Sequence, residues 1–77
     1  MDPKIEFSFE GIRYAVGVRA CDLNYIVLPN RAVLYVTEWL KGNPPQPQGL
    51  FEVSHVYWYL EPNEIAIKMN GIVAQRL

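Results

Sequence analysis

Apolar and polar residues alternate from Ile5 to Phe9, and only an extended strand sorts such a pattern onto two faces. Ile5, Phe7 and Phe9 point one way, while Glu6, Ser8 and Glu10 point the other. Glu10-Gly11 is a turn signal, after which the alternation resumes from Ile12 to Arg19. Ile12, Tyr14, Val16 and Val18 share one face of this run, with Arg13, Ala15, Gly17 and Arg19 opposite. Two such runs separated by two turn residues predict an antiparallel hairpin. Gly17, inside the second run, is expected to mark a bulge or a close approach of another segment. The remaining sequence has to complete a sheet that begins this way. The chain has 77 residues, which suits one domain spanning 1–77.

Tyr25 to Leu28 reads as a third strand, and Pro29-Asn30 as the turn that follows it. Arg31 to Leu40 fits two periods. As a strand it places Val33, Tyr35, Thr37 and Trp39 on one face. As a helix it would start at Asn30 and stop at Gly42. The β-branched Val33, Val36 and Thr37 tip the reading to the strand. Lys41 to Gly49, with Pro44, Pro45 and Pro47, is a loop. Leu50 to Leu60 reads as a long strand with a bulge near Ser54-His55. Glu61 to Glu64 reads as a turn, Ile65, Ile67 and Met69 as one face of another strand, and Asn70-Gly71 as a hairpin turn leading to a returning strand over Ile72 to Arg76. The fold expected is all-β: a small antiparallel barrel or bent sheet of about six to seven strands. The alternative is α+β, with one helix near 31–41 packed on the sheet.

Such a chain buries only about 60% of its unfolded surface, so something must supplement its stability. Cys21 and His55 are the sole cysteine and histidine, which leaves no intrachain disulfide and no metal-ligand cluster; no metal and no cofactor is expected. What remains is a dense core, an oligomer, or both. Residues of the AVILMFWYC set make up 51% of the chain, and charged residues only 19%, so aromatic surface is expected to stay exposed.

The charges nearly cancel, at net −1, and no basic stripe occurs, which speaks against nucleic acid and anionic membranes as partners. No apolar run approaches the length of a membrane span, and the first residues lack the apolar core of a signal peptide. With one lone cysteine, the expected compartment is cytoplasmic.

Chemistry has few candidates. Cys21 and His55 form no nucleophile–base motif with a third orienting group, and Asp22 is expected to act as a turn residue. Glu61 and Glu64 flank a predicted turn tip, where carboxylates are solvated rather than set across a cleft. The glycines are scattered and make no phosphate loop. Pro44 and Pro47 have PxxP spacing, which reads more readily as a stiff loop than as a docking motif.

Val56-Tyr57-Trp58-Tyr59-Leu60 stands out. As a strand it puts Tyr57 and Tyr59 on one face and Trp58 on the other, so both faces cannot reach one core. Tyr57 and Tyr59, followed by Tyr35 and Trp39, are therefore the expected interface residues, against the plainer reading of an aromatic ladder that supports the sheet. The expected function is a small non-enzymatic protein–protein interaction module, binding a protein partner or itself through aromatic or edge-strand surface. The alternative is an oligonucleotide-binding small β-barrel that stacks bases on the aromatics.

Overall fold

The computed structural model describes residues 4–17, 23–36, 50–53 and 56–77. Cys21, Asp22, Trp39, His55, the proline segment 41–49 and the expected bulge at 54–55 lie outside them.

The predicted hairpin is present. β1 (Lys4–Phe9) and β2 (Ile12–Gly17) pair antiparallel from Lys4↔Gly17 to Phe9↔Ile12. Glu10 and Gly11 both have positive φ, 51° and 81°, as a two-residue turn matched to strand twist requires. Phe7 and Tyr14 are directly opposed and stack with centroids 5.6 Å apart. Gly17 pairs in regular register, and among the described residues nothing beyond its own chain neighbours lies within 4 Å of where its Cβ would be, so no bulge or close approach is seen among them.

β3 (Tyr25–Val27) and β4 (Val33–Tyr35) form a second antiparallel hairpin. Its loop closes with Leu28 N–H donating to Ala32 O and Arg31 N–H donating to Leu28 O. Arg31 takes the left-handed position, φ 75°, that completes a three-residue loop built on a β-turn. The strand reading thus holds for 33–35, and the alternative helix near 31–41 is absent over 31–36, where paired backbone leaves no helical turn. β5 (Phe51–Val53) adds antiparallel to β4.

Four expectations downstream are corrected. Residues 56–59 form a turn rather than the second half of a strand, closed by Leu60 N–H to Tyr57 O at 2.9 Å. Pro62–Met69 is a helix, α1, so the chain is mostly sheet, as expected, but carries one short helix and is not β throughout. Glu61-Pro62-Asn63-Glu64, expected as a plain turn, is its start: Pro62 occupies the first turn, where no N–H is missed, and Glu61 N–H donates to Glu64 Oε1 at 3.1 Å. Asn70-Gly71, expected as a hairpin turn, is its end. Asn70 adopts the left-handed conformation, φ 53°, and Gly71 N–H reaches back to Ala66 O at 2.8 Å. Helical geometry puts Ile65, Ala66 and Met69 on the packed side and leaves Ile67 82% exposed.

After α1 the chain runs through β6 (Ile72–Val73) and β7 (Gln75–Arg76). The sheet orders are β1-β2-β7 and β5-β4-β3-β6. β6 lies parallel to β3, so the second sheet is mixed rather than antiparallel throughout. The described strands form two sheets and no closed barrel, since each order ends in an outer strand on both sides. Buried Ala74 sits where the chain crosses between the sheets, its N–H donating to Val27 O at 2.9 Å.

Two apolar clusters result. Phe7, Tyr14 and Val16 from the first sheet meet Ile26 and Leu34 from one face of the second. Val27 and Val33, on the opposite face, meet Ile65 and Ala66 of α1. The order of layers is sheet, sheet, helix.

Candidate functional site: an aromatic row on the outer sheet face

Side chains alternate along a strand, so Tyr25, Val27, Val33, Tyr35, Phe51 and Val53 share the face on which α1 packs. The register groups them by type. Val27↔Val33↔Val53 form one cross-strand row, and Tyr25↔Tyr35↔Phe51 the next but one. The valine row is covered, with Val27 and Val33 both fully buried beneath Ile65 and Ala66. The aromatic row lies two residues along each strand, roughly 7 Å away.

The helix stops where the aromatic row begins. Gly71 follows its C-cap, and a Cβ there would come within 2.8 Å of Tyr25 O and 3.2 Å of Tyr25 Cβ. Gly71 is needed for that approach, since φ is positive at Asn70 and not at Gly71. From Tyr25 the rings run outward without a gap. Tyr25 meets Tyr35 edge-on at 5.8 Å, and Tyr35 meets Phe51 at 5.3 Å, tilted by 42°. Exposure rises along the row: Tyr25 is half-buried, Tyr35 is 37% exposed and Phe51 54%. Phe51 stands on β5, the outer strand of its sheet.

The row is uncharged. The nine residues of β3, β4 and β5 carry one ionisable acid or base besides the tyrosine hydroxyls, Glu52, and alternation turns its side chain to the other face.

The expected interface residues are divided by the structure. Tyr35 is the centre of the row. Tyr57 and Tyr59 belong to the turn before α1 and meet edge-on at 6.3 Å. They are close for a reason other than strand alternation. Tyr57 has φ 57°, packs half-buried on the helix-side cluster, and leaves Tyr59 80% exposed beside it. Trp58 turns to the other cluster, between the sheets. Trp39 lies outside the described residues. Tyr25 and Phe51 are new members, brought to Tyr35 by the register of the β3–β4 hairpin and by the pairing of β5 with β4.

The two carboxylates singled out in sequence are structural. Glu64 caps the backbone of Glu61, and Glu61 Oε1 accepts from Arg31 at 2.7 Å. Arg31 Nε also donates to Leu60 O at 2.8 Å, so this residue ties the β3–β4 loop to the start of α1. Among the described residues no three of His, Cys, Asp or Glu gather as a metal site would require. No helix among them is long and apolar enough to cross a membrane. Comparison of the chain with protein-family models, curated proteins and solved structures finds no match.

Proposed function

We propose that this chain is a non-enzymatic protein-interaction module whose contact surface is the Tyr25–Tyr35–Phe51 row. One observation carries the reading. A single sheet face is half roofed by α1 and half left as contiguous aromatic rings of increasing exposure. Tyr and Phe give large contact area with few rotatable bonds, which is why aromatic anchors dominate binding energy at protein interfaces. A protein partner with apolar side chains extends over the row the cover that α1 gives the valines.

The rival ligand is single-stranded nucleic acid stacked on the same rings. Stacking platforms work alongside cations that hold the phosphates. The strands bearing this row carry no Lys or Arg. Protein is therefore the favoured partner.

The test compares the chain with the double variant Tyr35→Ser/Phe51→Ser as baits, from nuclease-treated and untreated lysate. Protein partners retained after nuclease by the first bait and lost by the folded double variant support the module. Equal recovery on both baits, or recovery only while nucleic acid is intact, contradicts it. Both side chains are exposed, so the double variant is expected to lose only about 1–2 kcal/mol of stability.

A further inference from the structure

The first sheet has a second surface with its own logic, independent of the aromatic row. β1 is an outer strand of that sheet and spans six residues. The two-residue turn after Phe9 makes Phe9↔Ile12 a hydrogen-bonded pair, so Phe7 and Ile5 also bond to β2. Leu77 N–H donating to Arg13 O confirms the phase, because Arg13 then directs its backbone away from β1 toward β7. The backbone groups of Lys4, Glu6 and Ser8 therefore point out of the sheet edge, and none of the described strands pairs there.

Both faces of that edge are specific. Lys4, Glu6 and Ser8 are exposed on one face, while Ile5 and Phe9 are only half-buried at the margin of the core on the other. Two such edges pair antiparallel only if outward-facing residues meet outward-facing residues, which restricts the registers to steps of two. The register centred on Glu6 sets Glu6 against its own copy. The registers centred on Ile5 or Ser8 overlap only three residues of the strand. The register centred on Phe7 overlaps five. It sets Glu6 opposite Ser8 of the second copy, an acceptor against a hydroxyl donor, twice by symmetry. It also sets Ile5 opposite Phe9 of the second copy, twice, which buries the half-exposed apolar margin.

We propose that β1 is the dimerisation edge of this chain: a second copy pairs with it antiparallel, centred on Phe7, and joins the two three-stranded sheets into one of six strands. Glu6 already forms an ion pair with Arg13 across the hairpin, which holds its carboxylate on the face where Ser8 of the second copy arrives.

Sedimentation equilibrium on the full chain over a concentration series tests this, with far-UV circular dichroism and a thermal melt to show that each variant is folded. The chain is expected to show a monomer–dimer equilibrium. Ser8→Lys sets a cation against Glu6 of the second copy and tightens the dimer, by about 2- to 30-fold for two symmetric cross-strand pairs. Ser8→Glu weakens it over the same range. The reverse order of these two variants places Ser8 opposite Lys4, the Glu6-centred register, and overturns the proposed one. A chain that stays monomeric up to about 1 mM overturns the dimer itself. Tyr35→Ser/Phe51→Ser is expected to leave dimerisation unchanged. Loss of the dimer in that variant transfers self-association to the aromatic row and removes it from β1.

Discussion

Tyr57 and Tyr59 sit two residues apart, and their rings touch, yet they do different work. Tyr57 contributes to the cluster of Val27, Val33 and Ile65, whereas Tyr59 is mostly in solvent. Tyr57→Ser is therefore expected to cost about 2–3 kcal/mol of unfolding free energy, and Tyr59→Ser within about 0.5 kcal/mol. Urea denaturation of the two single variants reads the difference, and equal costs would contradict the placement of Tyr57. The sequence signalled the special character of this pentapeptide, since aromatics of both phases cannot serve one core. It did not signal the turn, because the left-handed φ of Tyr57 is uncommon for a bulky residue and no glycine or proline marks it. Tyr35 was legible as a surface aromatic on a strand. Tyr25 and Phe51 were not, because their proximity to it depends on cross-strand register: a three-residue loop with Arg31 left-handed and no glycine sets it for Tyr25, and the pairing of β5 with β4 sets it for Phe51.

The hairpins were legible as elements because alternation, two-residue turns and β-branched residues agree there. The element whose local pattern misleads is α1. Ile65, Ile67 and Met69 alternate as well as any strand, and Asn70-Gly71 is equally a hairpin turn and a helix C-cap. The discriminating signals were at the other end. Pro62 followed by Glu64 marks a helix start, and Lys68 complements its last turn. The eight-residue helix is too short to form on its own, so burial of Ile65 and Ala66 must stabilise it. Ile65→Ala is expected to destabilise by about 3 kcal/mol, and Ile67→Ala by less than about 0.5 kcal/mol. A strand with the alternating phase would make the two substitutions equally costly, and thermal melts of both variants distinguish these outcomes.

The last residues bind the whole molecule together. Ile72–Val73 pairs with β3 in one sheet and Gln75–Arg76 with β2 in the other, two residues apart. Ala74, between them, is fully buried, with its N–H bonded to Val27 O. This arrangement prevents the two sheets from behaving as separate units, and Ala74→Leu is expected to overpack the crossing at a cost of about 1–3 kcal/mol. The loss should lower hydrogen-exchange protection in β1–β2 and in β3–α1 together, in one cooperative transition. Loss of protection in one sheet alone would contradict a shared crossing. None of this was readable locally: the returning strand was expected over Ile72 to Arg76, but its division between two sheets depends on partners 46 to 62 residues earlier. An open pair of sheets also leaves outer strands that a barrel would not have. Both surfaces proposed for binding, the aromatic row ending at β5 and the β1 edge, follow from that openness.

The row is the claim on which the functional account depends, and NMR mapping reaches it directly. Isotope-labelled chain titrated with the protein captured in the nuclease-treated experiment is expected to show its largest shifts at Tyr25, Tyr35, Phe51 and the neighbouring Glu52. The outer side of α1 around Ile67 should stay unchanged. Shifts concentrated on α1 or on the β1–β2 hairpin, with the three rings unmoved, would contradict the row as the binding surface.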